Sequence, residues 1–120
     1  MEILITKHFS KWAKKNLIDQ ATLKKAALEV LNGNVEANLG SHLFKKRIGL
    51  PGQGKRGAVR VILFYQINNR LIYVHGFMKK DKNNLSAKEF KVFKVLSDIF
   101  LDMTDIQYKT AIKNGDFEEI

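Results

Sequence analysis

Two apolar runs on either side of Asn68-Asn69 restrict the fold of this chain more than any other feature of its sequence. The runs, Ala58 to Ile67 and Arg70 to Met78, are rich in β-branched and aromatic residues, which favour strands. Asparagine tolerates positive φ, so Asn68-Asn69 predicts a two-residue hairpin turn between them. The chain is therefore expected to contain an antiparallel strand pair near its middle.

This turn also predicts which side chains face each other across the hairpin. With Ile67 opposite Arg70, the other pairs are Phe64 with Tyr73, Ile62 with His75, Arg60 with Phe77, and Ala58 with Lys79. One sheet face is then expected to carry Arg60, Tyr73, His75, Phe77 and Lys79. The other face is expected to pack against helices through Val59, Val61, Leu63, Tyr65, Ile72 and Val74. A slip of one residue would break both groupings.

The N-terminal part of the chain predicts a strand followed by two helices. Residues 1–6 form a short β-type run, and amphipathic patterns indicate helices over about 8–16 and from Asp19 to Gly33. Residues 34–42 show little periodicity and are expected to form a loop. A second strand is expected over 43–50.

The C-terminal part predicts two further helices. Ser86 and Glu89 have the spacing of a capping box, and an apolar stripe at helical spacing follows them. A shorter helix is expected over 106–113, with Gly115 after it and then a short tail. At 120 residues, the chain is long enough for one domain, which we expect to span 1–120.

Positive charge is concentrated in the middle of the chain. No Asp or Glu occurs between Glu36 and Asp81, whereas nine Lys and Arg residues do, and the net charge of the whole chain is +9. Clustered cations favour a polyanionic partner, most commonly a nucleic acid. The alternative is a solvated, lysine-rich surface on an ordinary protein.

Several classes of site are excluded by composition. The chain has no cysteine, so disulfides, thiolate metal sites and a cysteine nucleophile are absent, and a cytoplasmic location is expected. No signal peptide is visible, and no apolar stretch approaches the roughly 20 residues of a membrane span. We therefore expect no membrane association.

Residues 49–57 hold four glycines and the only proline, which predicts a loop whose backbone can approach a ligand. Gly49 to Lys55 match the first seven positions of a phosphate-binding P-loop. The eighth position is Arg56, where a Ser or Thr is needed, and strand sequence follows instead of a helix. The P-loop interpretation is therefore rejected, and a basic loop that contacts an RNA backbone is favoured over a plain surface loop.

The three histidines, His8, His42 and His75, do not have the spacing of a metal site, so no metal or other cofactor is expected. A ribonuclease that used one histidine as base and another as acid would need two of them to converge. Only His75 lies on the predicted cationic face. Acyl-transfer and glycosidase chemistry have no support, because no Gly-x-Ser-x-Gly motif occurs and no acid pair lies near the basic region.

Phosphoryl transfer driven by cations is the chemistry that remains. Cleavage of RNA by its own 2′-hydroxyl needs a proton acceptor, neutralisation of a doubly charged transition state, and a proton for the leaving 5′-oxygen. An arginine such as Arg60 supplies the neutralisation. A lysine can move a proton only when neighbouring cations destabilise its charged form, and Lys79 has Lys80 and Arg60 near it.

The basic segment resembles the RelE/HigB group of toxins from bacterial toxin–antitoxin pairs, a branch of the RelE/ParE superfamily. The matching positions follow one another in the order of the family pattern: Lys46-Arg47, Pro51-Gly52, Gly54-Lys55, Gly57, Arg60, Gly76-Phe77, Lys79 and Asn84-Leu85. Ala58 stands where the family has its second loop glycine. The N-terminal segment ending at Gly33 and the tail from Gly115 to Glu119 are also similar, so the resemblance covers nearly the whole chain.

This resemblance implies an α+β fold, with N-terminal helices packed on a twisted, mostly antiparallel sheet and a C-terminal helical region. It implies ribosome-dependent, metal-independent cleavage of mRNA, and a cognate antitoxin, often a helix-turn-helix protein. The catalytic candidates are Arg60, Lys79, Lys55 and, from its predicted face, His75. The RNA-binding candidates are Lys45, Lys46, Arg47, Arg56 and Lys80. Tyr108 is a distant candidate for the C-terminal tyrosine of some relatives.

Two other functions stay open on the sequence. A ParE-like toxin uses the same fold to poison DNA gyrase. A module without chemistry would bind only RNA or an antitoxin, and its affinity for RNA would fall steeply with salt.

Overall fold

The hairpin at Asn68-Asn69 forms as predicted and lies within a six-stranded sheet. The computed structural model describes residues 1–50, 54–82 and 84–120, without the side chains of residues 50 and 54–58. In chain order the elements are β1 (Glu2–Thr6), α1 (Lys7–Lys15), α2 (Gln20–Leu31), β2 (Ala37–Gly40), β3 (Leu43–Leu50), β4 (Gly54–Ile67), β5 (Arg70–Met78), α3 (Ala87–Asp102), α4 (Asp105–Lys113) and β6 (Phe117–Glu119). The strand order is β2-β3-β4-β5-β1-β6.

Every strand pair in this sheet is antiparallel except β1 with β5, which is parallel. Helices α1 and α2 cover one face, hereafter the N-terminal face, where Phe9 and Leu23 pack with Val61. Helices α3 and α4 cover the other, hereafter the C-terminal face, where the rings of Phe64 and Phe100 meet edge to face. The predicted α+β fold, with helices from both ends of the chain, is confirmed.

Helix starts follow the local signals in the sequence. The Asp19 side chain caps α2 by accepting a hydrogen bond from the Thr22 N–H at 2.8 Å. The predicted capping box of Ser86 and Glu89 is present at the start of α3. A second capping box, in which Thr104 is the N-cap, begins α4. These side chains satisfy backbone N–H groups that have no partner within the helix.

The predicted hairpin register is confirmed at both ends and wrong in the middle. Ile67 pairs with Arg70, Ile62 with His75 and Arg60 with Phe77, but Phe64 pairs with Ile72 instead of Tyr73. The first register shift lies on β4 between Phe64 and Ile67, where Gln66 has φ of 57°. The second shift is on β5, where Val74 is the extra residue, and it restores the original register.

The predicted faces therefore change for the residues between the two shifts. Tyr73 lies on the N-terminal face, where its ring stacks on Phe9 and its hydroxyl donates to the Leu23 carbonyl oxygen at 2.7 Å. Ile72 and Val74 lie on the C-terminal face. The assignment of Val59, Val61 and Leu63 to a face that packs on helices is confirmed.

Three loop predictions were also wrong. The predicted loop over 34–42 contains β2, and the C-terminal tail forms β6 against β1. Strand β4 begins at Gly54, so the last glycines of segment 49–57 belong to a strand. Residues 51–53 lie outside the described residues. Strands β2 and β6 and the start of β4 have no clear hydrophobic period, which is why the sequence did not predict them.

Candidate functional site

A carboxylate holds two nearly buried cations on the C-terminal face of the sheet. Arg60 Nε lies 2.6 Å from Glu36 Oε2, and Lys45 Nζ lies 3.2 Å from Glu36 Oε1. Burial opposes ionisation of Glu36, but hydrogen bonds from Arg60 and Lys45 hold the pKa of this carboxyl below its ordinary value. The cluster carries two positive charges and one negative charge, so it remains attractive to an anion.

Arg60 also has an unused hydrogen-bond donor. Its side chain is 6% exposed, and its Nη1 is buried without a hydrogen-bond partner among the described residues. Leaving such a donor unpaired costs roughly 1–3 kcal/mol, so buried arginines usually satisfy all their N–H groups. An oxyanion that reached Nη1 would recover this free energy.

The pairing of β3 with β4 divides the predicted phosphate-binding residues between the two faces. Arg47 lies opposite Arg60, and Lys45 lies opposite Ile62, so both share the C-terminal face. Lys46 points to the other face, where its Nζ lies 3.0 Å from Glu29 of α2 and its side chain is 5% exposed. Lys46 is therefore a buried partner of α2 in this structure, away from Lys45 and Arg47.

The remaining predicted cations lie at the open end of the hairpin, opposite the Asn68-Asn69 turn. Lys79 and Lys80 are exposed and follow the end of β5 in a turn, where the N–H groups of Asp81 and Lys82 donate to the Met78 carbonyl oxygen. Lys55 and Arg56 lie at the start of β4, and their side chains are outside the described part of the chain.

His75 lies at the centre of a hydrogen-bonded chain that the sequence did not predict. Its Nδ1 is 3.3 Å from Nε2 of His8, and its Nε2 is 3.2 Å from Oε2 of Glu89. The two imidazole rings stack with a centroid distance of 5.6 Å and an interplanar angle of 7°. Lys82 binds the other oxygen of Glu89. Two histidines thus converge, although 67 residues separate them in the chain.

The protonation of this cluster follows from its surroundings. Burial lowers the pKa of His75, and the nearby Glu89 carboxylate only partly opposes that shift, so the neutral imidazole is favoured. Hydrogen bonds from the Lys82 side chain and the Ser86 backbone lower the pKa of Glu89 to about 2. Glu89 is therefore an ionised acceptor at neutral pH.

The convergence of His8 with His75 results from the parallel pairing of β1 with β5. Ile5 lies level with Tyr73, and β1 ends one residue later at Thr6, where α1 begins. The first turn of α1 therefore lies beside His75. This pairing joins distant parts of the chain, so the only sequence signal for His8 was its position at the start of the helix predicted after the first strand.

A cavity of about 380 Å³ adjoins His75 between α1, the end of β5 and the start of α3. Its cationic lining residues are Lys15 and Lys82, and its aromatic lining residues are Trp12 and Phe77. Gly76 forms part of its wall, where the Trp12 ring lies so close that no side chain fits. The lining combines cations with flat apolar surfaces, a composition that suits a nucleotide.

An apolar groove of about 600 Å³ lies on the other side of His8. Its apolar lining includes Phe93, Phe100 and Phe117, and Lys7 and His8 lie at its edge. Tyr108 is fully buried and donates to the Phe100 carbonyl oxygen at 2.7 Å. The Tyr108 hydroxyl is thus engaged inside the core, and Tyr108 does not line this groove.

Within the ranges that the structure describes, no three or more His, Asp or Glu side chains are grouped so that they could hold a metal ion. None of the helices found in those ranges has the length and apolarity needed to cross a membrane. The described part of the site is thus built from cations, two histidines and two carboxylates.

A search of curated proteins finds no match. The family model described as the RelE toxin of the RelE / RelB toxin–antitoxin system matches residues 1–120. This match spans all the elements that carry the cation cluster and the histidine pair. The chain therefore belongs to the RelE family and is a toxin of a toxin–antitoxin system.

Proposed function

We propose that this toxin is a metal-independent endoribonuclease that cleaves mRNA on the ribosome. The observation that carries the proposal is the nearly buried Arg60, whose Nη1 has no partner among the described residues and which lies beside Lys45 and Arg47. This arrangement suits a phosphate group, because a guanidinium binds two oxygens of an oxyanion with fixed geometry.

The proposed reaction is attack of a ribose 2′-oxygen on the adjacent phosphorus. The bond from O2′ to phosphorus forms and the bond from phosphorus to O5′ breaks, which gives a 2′,3′-cyclic phosphate and a free 5′-hydroxyl. Arg60 stabilises the negative charge that develops on the phosphoryl oxygens. Lys79, which is exposed after the end of β5, gives a proton to the leaving 5′-oxygen.

Glu36 supports this arrangement by fixing the Arg60 side chain before substrate arrives. A bound phosphate would share Arg60 and Lys45 with Glu36, so binding to free RNA is expected to be weak. The ribosome would add what the toxin lacks, by holding the mRNA backbone in line for attack. Lys55, Arg56 and Lys80 are proposed to bind neighbouring phosphates.

Membership of the RelE family implies an antitoxin partner. We propose that this antitoxin is a helix-turn-helix protein and that both act in the cytoplasm. An antitoxin would block the reaction by covering the cations around Arg60, since RNA and antitoxin would then compete for one surface.

The test is controlled expression of the toxin followed by mapping of mRNA 5′ ends. We expect growth arrest and new 5′-hydroxyl ends for the wild-type chain, with both lost in Arg60→Lys and Lys79→Ala. Lys25→Ala is the matched control, because Lys25 is an exposed lysine of α2. Arg60→Lys keeps the charge and removes the second N–H direction, so it tests bidentate binding directly.

Three outcomes would overturn the proposal. Arrest with intact transcripts and inhibited DNA supercoiling would indicate a ParE-like toxin. RNA binding without cleavage products would indicate a binding module. Cleavage that survives in both variants would move the site away from Arg60 and Lys79.

A further inference from the structure

The hydrogen-bonded chain at His75 determines which histidine nitrogens carry protons. Glu89 is an ionised carboxylate, so it can only accept, and neutral His75 must donate to it from Nε2. His75 Nδ1 is then an acceptor, and it receives the Nε2–H of His8. In the neutral form of His8, Nδ1 is consequently left as a free lone pair.

The two histidines differ in what they can do with a substrate. Both ring nitrogens of His75 are engaged, and its side chain is only 18% exposed. His8 is exposed, and across residues 1–50, 54–82 and 84–120 its Nδ1 has no hydrogen-bond partner. A proton acceptor must reach the group that it deprotonates, which His8 can do and His75 cannot.

We propose that His8 is the general base of the cleavage reaction and that His75 and Glu89 are positioning residues that hold it in its reactive tautomer. This inference rests on the proposed endoribonuclease function, which supplies the reaction. It reassigns His75, a catalytic candidate from the sequence, to a supporting role. Here Glu89 and His75 orient His8, much as the acid and histidine of a catalytic triad orient the reactive group beside them.

The step is a simple proton transfer. The 2′-hydroxyl proton moves to Nδ1 of His8 as the bond from O2′ to phosphorus forms and the bond from phosphorus to O5′ breaks. The imidazolium of His8 is stabilised through its Nε2–H by His75, which is itself hydrogen-bonded to the Glu89 carboxylate. Water removes the proton from His8 after the cyclic phosphate leaves.

Cations around His8 suit an RNA backbone at this position. Lys7 precedes His8, and Lys11 lies one turn along the same helix, while Lys15 and Lys82 line the adjoining cavity. The negative groups that face the histidine pair are Glu89 from α3, Asp81 from the turn after β5, and Asp116 from the segment before β6. Cations thus outnumber carboxylates around the proposed base.

The test is single-turnover cleavage of mRNA on programmed ribosomes over a range of pH. For wild type, we expect the rate to fall as pH is lowered, because a protonated His8 cannot accept a proton. For His8→Ala, we expect a loss of about 100- to 10,000-fold, disappearance of this pH dependence, and partial recovery with added imidazole. His8 is exposed, so this variant is expected to fold.

Glu89→Gln tests the positioning role. The cap of α3 and the contact with His75 use different oxygens of Glu89, so glutamine, with one side-chain oxygen, can keep only one of them. It also lacks the negative charge that favours the His8 imidazolium. We expect a smaller loss, about 10-fold, with the pH dependence moved to lower pH. Lys88→Gln is the control, because it neutralises an exposed lysine next to Glu89 in α3.

Nitrogen NMR of the two imidazoles gives a readout that does not depend on cleavage. We expect Nε2–H tautomers for both His8 and His75 in the free toxin. Nδ1–H on either ring would overturn the inference. If His8→Ala cleaves mRNA at the wild-type rate and with the wild-type pH dependence, this inference is overturned and the proposed function stands. If the wild-type toxin itself leaves mRNA intact, both are overturned.

Discussion

Replacing Gly76 with alanine should displace α1, and the close contact with Trp12 determines the size of the effect. A Cβ at position 76 would lie 2.3 to 2.5 Å from three ring carbons of Trp12. Ordinary contact begins near 3.4 Å, so the ring or α1 must move away by about 1 Å. Trp12 also packs on Phe9 in the core, so this movement meets resistance.

The expected cost is that of overpacking a core, about 1–3 kcal/mol. Denaturant unfolding measures it, with Gly49→Ala as control, because position 49 has open space and no positive φ. The decisive measurement is a double-mutant cycle with Trp12→Ala, in which Gly76→Ala should cost no more than about 0.5 kcal/mol. An equal loss in both backgrounds, or no difference between Gly76→Ala and Gly49→Ala, would refute the reasoning.

Two further predictions concern polar contacts that join distant parts of the chain. Glu36→Gln should reduce the free energy of unfolding by about 2–4 kcal/mol at pH 7, because Arg60 and Lys45 stay nearly buried without their carboxylate. The folded-state pKa of Glu36 is lowered, so the stability that its carboxylate contributes is fully present above the ordinary pKa of 4.5 and is lost as pH falls below that value. In urea titrations, the unfolding free energies of the wild type and Glu36→Gln should therefore converge at low pH. Asn68 has φ of 51°, and its side chain donates to the Phe100 carbonyl oxygen at 2.7 Å. Asn68→Ala should therefore cost about 1–2 kcal/mol and Asn68→Gly less, because glycine keeps the backbone conformation; equal costs in thermal unfolding would contradict this.

Local chemistry accounts for the parts of this fold that were predictable. The Asn68-Asn69 turn, the Asp19 cap and the capping box of Ser86 and Glu89 each depend on residues within a few positions of one another. The face that packs on α1 and α2 was predicted for Val59, Val61 and Leu63 because strand alternation extends over that stretch without a bulge. The family likewise followed from motifs that occur in order along the chain.

The errors came from features that only packing determines. Two compensating bulges in β4 and β5 move Tyr73 to the N-terminal face, where its hydroxyl finds the Leu23 carbonyl oxygen. The alternation of side chains along a strand is enough to place Lys46 on the opposite face from Lys45. The ion pair of Lys46 with Glu29, however, depends on where α2 lies. Strand β6 forms because the edge of β1 is available to the tail.

The sequence by itself determined the hairpin, the helix caps, the concentration of cations and the family. Only the tertiary structure decided that Arg60 is held by Glu36 and that His8 meets His75, which in turn contacts Glu89. The physical reason is range: turns and caps satisfy hydrogen bonds between near neighbours, whereas the histidine pair requires β1 to lie parallel to β5 and α3 to close over the sheet. No local pattern of residues specifies that arrangement.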